Sequence, residues 1–377
     1  MAKITKEEEN DDGVLTPAQQ AMAYMSTKEV KGDHYNFEKS EATKTRCSSL
    51  LLSSVMDGGI PNGAHRALGI TRGGKTSCLL DFMYHFLRVK GRRGLYVKSE
   101  GRLSPEMQER SGIKFVSDPL EWKDGTCLIF ECNIHESIFG LIGNLIKNNP
   151  TSTKYFFVLD SMDMIVRRAD MAKGLEDAQQ VAGGALITST FLKQTSLALE
   201  KRGHVAFFIS QVRDEIKGQY DRRPPRQGSA SGGHALEHQG TWVLEFLPRW
   251  ERDKIYEGTG DNQKIIGHYC KVKILKSTNE KDDVEIRYPI RYGRKNATSV
   301  WIERELFDIL LQWGQLEKAG AWLKLNAEII KEVQEKTKIA LPEKIQGMDN
   351  FCKLLEDNPV VANYLFEKFL KIITGSI

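Results

Sequence analysis

None of the six cysteines (Cys47, Cys78, Cys127, Cys132, Cys270 and Cys352) forms a C-x-x-C pair or stands at zinc-like spacing from a histidine cluster. A structural zinc site and a disulfide framework are therefore not expected; reduced, mostly buried thiols of a cytoplasmic protein are. No window approaches ~18 uninterrupted apolar residues, so no membrane span is expected. The start, Met1-Ala2-Lys3-Ile4 followed by acidic residues, has no signal-peptide pattern. Internal repeats and low-complexity tracts are absent, which sets aside solenoids and linker-like chains. A strong excess of one charge is missing too. The 54 Lys and Arg against 50 Asp and Glu leave +4, a balance that permits nucleic-acid binding without arguing for it. With 377 residues and 40% hydrophobic residues, one large core with smaller terminal pieces is expected.

What is present is more specific. Gly69-Ile70-Thr71-Arg72-Gly73-Gly74-Lys75-Thr76 fits the phosphate-binding pattern G-x-x-x-x-G-K-[ST] at each fixed position. Its glycines let successive N–H groups turn toward an anion. Lys75 would reach the β- and γ-phosphates, and the Thr76 hydroxyl would ligate Mg²⁺. A short, compositionally weak strand at 65–68 precedes the loop. An amphipathic helix from Ser77 to Leu87 follows it and would point its dipole at the phosphates.

Along the chain, residues 1–15 are charged and without apolar period. Thr16-Pro17 opens a short helix to Ser26. Residues 47–298 read as the core. Strands are expected at 94–99, 127–130, 155–160 and 205–210, and helices at 49–55, 134–146 and 184–201. This alternation predicts an α/β fold with a mostly parallel sheet covered on both faces. Strands at 241–247, 266–275 and 284–288 predict an antiparallel extension. Helices at 302–313, 326–338, 348–356 and 361–373 predict a mostly helical C-terminal domain over 299–377, and residues 1–46 form an N-terminal segment, a candidate oligomerisation arm.

In such sheets ligands gather beyond the carboxyl ends of the strands. Gly69, Glu100, Asp160 and Gln211 all follow predicted strands and can converge there. Asp160 ends an apolar strand, as a Walker B carboxylate holding Mg²⁺ does; a turn-capping aspartate is the alternative. For Glu100, spacing leaves open both a water-activating carboxylate and a solvated surface glutamate. Gln211 either reads the γ-phosphate or caps a turn. After it, residues 213–233 are too long for a simple connection. They carry Arg213, Lys217, Tyr220, Arg222, Arg223 and Arg226, suited to a nucleic-acid backbone, diluted by Asp214, Glu215 and Asp221.

These motifs, in this order, resemble the RecA family of recombinases, and within it the divergent RecA-like proteins of bacteriophages. The resemblance runs from about Cys47 to Trp322. It includes Ser99-Glu100-Gly101-Arg102-Leu103-Ser104-Pro105, Val158-Leu159-Asp160-Ser161, Phe208-Ile209-Ser210-Gln211-Val212-Arg213, Ser231-Gly232-Gly233-His234-Ala235-Leu236 and Lys318-Ala319-Gly320-Ala321-Trp322.

The resemblance implies a RecA-like P-loop ATPase core, with ATP and Mg²⁺ as cofactors. It implies a homo-oligomeric helical filament on single-stranded DNA that pairs it with homologous duplex DNA. Single-strand-binding and loader proteins are further implied partners. The implied location is the cytoplasm, that of a bacterial host for a phage-borne gene. By position it makes Gly69 to Ser77 the nucleotide cradle, Thr76 and Asp160 the metal site, Glu100 the catalytic glutamate and Gln211 the residue coupling ATP to DNA. Lys276 matches a lysine that reaches a neighbour's ATP, and Met107 the position that stacks on adenine. The implied DNA loops span 167–184, with Arg167, Arg168, Val181, Gly183 and Gly184, and 213–233, with Ile216, Gly232 and Gly233 besides the residues above. Departures are Thr278 for a second interface lysine, Met107 for an aromatic and His238 for a phenylalanine. A ring-forming helicase-like motor and a nucleotide-gated, non-hydrolysing mediator are the alternative functions.

Overall fold

The computed structural model describes residues 15–31, 33–38, 43–101, 103–149, 152–171, 183–212, 233–258, 260–294 and 297–375. Residues 1–41 and 42–377 form two compact units. In the first, α1 (Pro17–Met25) starts on a capping box. The Thr16 hydroxyl accepts from the Gln19 N–H at 3.3 Å, the Gln19 side chain accepts from the Thr16 N–H at 2.8 Å, and a proline occupies the first turn.

The second unit opens with β1 (Lys44–Thr45), α2 (Leu50–Val55) and β2 (Ile60–Pro61), the two strands pairing antiparallel. Then come β3 (Gly63–Gly69), α3 (Lys75–Leu87), β4 (Arg92–Lys98), α4 (Pro105–Ser111), β5 (Lys114–Val116), β6 (Thr126–Glu131), α5 (His135–Lys147) and β7 (Lys154–Asp160). The short α6 (Arg168–Met171), α7 (Gly183–Lys201), β8 (Val205–Gln211), α8 (Gly233–Gln239) and β9 (Trp242–Phe246) follow. Next are β10 (Lys254–Glu257), β11 (Lys264–Lys276) and β12 (Glu285–Arg291).

These strands build a 10-stranded sheet in the order β10-β11-β9-β3-β8-β7-β4-β6-β5, with β12 on the other side of β11. From β9 to β5 every pairing is parallel. The expected α/β architecture is thus present, with one correction. The strand expected at 241–247 as part of the antiparallel extension is β9, and it pairs parallel with β3, so the extension begins at β11. The crossover through α8 reverses the chain before β9 and makes the parallel pairing possible. The strand before the phosphate loop, weak by composition, is buried along its whole length. Neighbouring strands on both sides decide its state, overriding its propensity.

Both faces of the sheet are covered. Phe207 and Phe208, consecutive on β8, point to opposite sides. Phe207 stacks near Phe82 of α3 and Phe156 of β7, whereas Phe208 meets Phe139 of α5 and Phe191 of α7.

The C-terminal lobe comprises α9 (Ile302–Gln312), β13 (Leu316–Ala319), β14 (Trp322–Leu325), α10 (Ala327–Thr337), β15 (Lys344–Gln346), α11 (Gly347–Asp357) and α12 (Pro359–Thr374). It is helical as expected but also holds a 3-stranded antiparallel sheet, β13-β14-β15, which the sequence reading omits. Its cluster includes Leu306, Phe307, Val333, Phe351 and Phe369. Arginines stack across its junction with the sheet extension, Arg291 lying 4.7 Å from the Trp301 ring centre and Arg304 5.4 Å from that of Tyr269. Among the described residues no helix is long and apolar enough to cross a membrane.

Candidate active site

The phosphate loop joins β3 to α3. Gly69 has φ +138°, and a Cβ there would stand 2.3 Å from the Phe246 carbonyl oxygen of β9, so only glycine fits. Gly74, φ +104°, is the N-cap of α3 and supplies no capping side chain. The first amides of α3 are therefore left to an incoming anion. Lys75 is buried, and its ammonium donates to the carbonyls of Gly69 and Ile70, at 2.7 Å each. Gly69 also accepts from the Val212 N–H at 3.2 Å. A cavity of about 610 Å³ opens over the loop, lined by Thr71 to Cys78, Met107, Asp160 and Gln211 among others.

Parallel register brings the strand ends together, with Gly69 opposite Gln211 and Lys98 opposite Asp160. Asp160 Oδ2 accepts from the Thr76 hydroxyl at 2.8 Å and the Tyr96 hydroxyl at 2.5 Å. Burial pushes the Asp160 carboxyl above its usual range, opposed by these two hydrogen bonds. The Asp160–Thr76 pair is a set of hard oxygen donors, few in number. It suits Mg²⁺, which keeps most of its waters and takes one or two protein oxygens. The residues present fit the group.

Glu100 follows β4 and turns back over β7. Its Oε1 accepts from the Ser161 hydroxyl at 2.6 Å and from the Gln211 side-chain amide at 3.0 Å. Ser99 donates its hydroxyl to the Ser161 carbonyl at 2.8 Å. Gln211 is fixed from below, its backbone N–H donating to Asp163 at 2.7 Å. Glu100 is thus held on Ser161 and Gln211, which line the cavity, although Glu100 itself does not.

Not every expected residue joins this group. Lys276, at the end of β11, donates to the carbonyls of Glu237 and His238 at 3.3 and 2.7 Å and does not line the cavity. Arg167 pairs with Asp170, with nitrogen–oxygen distances of 2.5 and 2.7 Å. The Arg168 guanidinium donates to Ser137 at 2.9 Å. Gly183 and Gly184 open α7, and Gly233 opens α8. Val181, Arg213, Ile216, Lys217, Tyr220, Arg222, Arg223, Arg226 and Gly232 lie outside the described residues.

The structure adds groups without an assigned role in the sequence reading: Tyr96, Ser99, Ser161 and Asp163. Ser99 and Ser161 sit inside quoted motifs, where adjacency to Glu100 and Asp160 was the available signal. Tyr96 had none. It lies opposite Val158, and its ring reaches diagonally along the same face to Asp160.

No family model matches the chain. Curated relatives do. Protein RecA of Chlorobaculum tepidum is 22% identical over 320 residues, 85% of this chain and 80% of the relative. Protein RecA of Rickettsia bellii is 22% identical over 315 residues, covering 83% and 79%. Protein RecA of Mycobacterium ulcerans is 24% identical over 312 residues, covering 82% and 78%. Over more than four fifths of its length the chain is thus similar in sequence to these RecA proteins.

Proposed function

We propose that the protein is an ATP-dependent homologous recombinase: a DNA-dependent ATPase that forms filaments on single-stranded DNA and promotes pairing and strand exchange with homologous duplex. One observation carries this reading. Gln211 donates to Glu100 at 3.0 Å while standing at the end of β8, directly before the basic segment 213–232. A group that meets the hydrolytic carboxylate and leads into a nucleic-acid-binding stretch couples the two.

In this reading Lys75 leaves the Gly69 and Ile70 carbonyls for the β- and γ-phosphates, and the α3 amides hold the phosphate oxygens. Thr76 and Asp160 would hold Mg²⁺, which would supply positive charge against the phosphates. Glu100 orients and deprotonates the attacking water. Gln211 exchanges its bond to Glu100 for the γ-phosphate and moves the segment behind it. Because Val212 and Lys75 share the Gly69 carbonyl, departure of the ammonium is felt at the start of that segment. Arg167, Arg168 and the basic residues of 213–233 meet the DNA backbone, and Lys276 reaches a neighbouring subunit. Single-strand-binding and loader proteins are the candidate accessory partners.

The test is ATP hydrolysis with and without single-stranded DNA, beside Lys75→Ala and Glu100→Ala. Stimulation by DNA that both substitutions abolish is expected. Hydrolysis indifferent to DNA would overturn the recombinase reading in favour of a different ATPase on this core. ATP-dependent DNA binding without turnover would make the protein a mediator.

A further inference from the structure

One wall of the 610 Å³ cavity belongs to no phosphate-binding motif: Cys47, Ser49 and Leu52 line it beside α3. That stretch is clamped between two buried carboxylates. Asp81 of α3 accepts from the Ser48 N–H at 2.6 Å and from the Ser48 hydroxyl at 2.7 Å. Glu305 of α9, in the C-terminal lobe, accepts from the Ser49 hydroxyl at 2.5 Å and from the N–H groups of Leu50 and Leu51 at 2.9 and 3.2 Å. Glu305 is 0% exposed.

Ser49 is the N-cap of α2, and Leu50 and Leu51 carry two of that helix's first amides, which have no partner within the helix. A carboxylate more than 250 residues away in sequence satisfies them. Withdrawing it leaves the buried Leu50 N–H and the part-buried Leu51 N–H without this partner, a cost that ties the wall to α9. The other clamp, Asp81, lines the same cavity and rides on the helix that begins at Lys75. A shift of the wall therefore reaches the helix whose amides face the phosphates.

We propose that Glu305 is a positioning residue for the nucleotide cavity: through Ser49, Leu50 and Leu51 it sets the wall at 47–52, so that nucleotide binding and the Glu305 contacts to α2 are one coupled equilibrium. The proposal rests on the reading of this cavity as the nucleotide site. Coupling is reciprocal, so nucleotide must tighten the Glu305 contacts as much as those contacts tighten nucleotide.

The test is calorimetric binding of ADP to the full chain, in the parent, Glu305→Gln, Glu305→Ala and Val333→Ala. Val333, on α10, is buried in the same lobe and makes none of the clamp's hydrogen bonds, so it reports lobe destabilisation. Both Glu305 variants are expected to raise the Kd for ADP by about five- to tenfold, a common size for coupling between sites. Val333→Ala is expected to leave it unchanged. ADP should also slow hydrogen exchange at the Leu50 and Leu51 amides in the parent and not in Glu305→Ala. If Glu305→Ala does not fold, Glu305→Gln, which keeps the shape, decides. Parent-like affinity in Glu305→Gln overturns the proposal, as does an equal loss in Val333→Ala, which would reduce Glu305 to a stability role. A parent that binds no ADP overturns the reading of the cavity itself.

Discussion

The carboxyl edge of the parallel strands and the C-terminal lobe are built on opposite terms. At the strand edge, polar groups hold one another in sequence: Lys75 on backbone carbonyls, Thr76 and Tyr96 on Asp160, Ser161 and Gln211 on Glu100. In the lobe, leucines, isoleucines, phenylalanines and valines fill the interior, and polar pairs such as Lys368 with Glu332 lie toward the surface. Hydrogen bonds demand particular atoms at particular places, whereas apolar packing asks for shape and volume and accepts several solutions. The first region should therefore lose activity without losing its fold, and the second the reverse.

The sharpest break comes from Lys75→Ala. Hydrolysis should fall on the order of a thousandfold, the scale of losing a charged group aimed at developing charge, while urea unfolding hardly moves. Phe369→Ala in α12 should do the opposite. Phe369 is 1% exposed and meets Trp313 edge-on at 5.1 Å, so its truncation should cost about 3–5 kcal/mol in denaturant titrations while ADP affinity in the folded protein holds. Loss of nucleotide binding from folded Phe369→Ala would erase the division.

Glu305 stands where the two regions meet, and its carboxyl is raised from 4.5 to about 7, chiefly by burial, with Asp308 adding to the rise. The folded chain keeps a proton that the unfolded chain releases in this window. Its contribution to stability is complete below pH 4.5 and is lost as pH rises through 7. Glu305→Gln should flatten the fall in stability between pH 5 and 8, removing a slope worth on the order of 3 kcal/mol. An unchanged slope would assign it to other groups. The smallest effect is expected from Tyr96→Phe. Loss of one donor to Asp160 should raise the Mg²⁺ concentration for half-maximal hydrolysis by about two- to fivefold, the scale of one hydrogen bond.

Legibility in the sequence divided along a related line. The long elements were readable, because β7, β8, α3, α5 and α7 have enough residues for an apolar period or a continuous apolar run. The short ones were not. α4 is the polar run PEMQERS, without an apolar period. β5 and β15 have 3 residues each, and β10, β13 and β14 have 4, fewer than a pattern needs to declare itself. The role of Tyr96 was hidden because it depends on which strand lies beside β4, a fact with no local signal.

The sequence by itself determined the phosphate loop, since G-x-x-x-x-G-K-[ST] fixes backbone freedom, ammonium and hydroxyl within eight adjacent residues. It determined as well that Glu100, Asp160 and Gln211 close strands of one parallel sheet. Tertiary structure alone decided that β9 runs parallel beside β3, placing a carbonyl where only Gly69 can pass. It alone brought Glu305 to Ser49. The physical reason is range: backbone conformation and period are set by neighbours along the chain, whereas register, burial and hydrogen bonds across hundreds of residues exist only once the sheet has closed and water has left its faces.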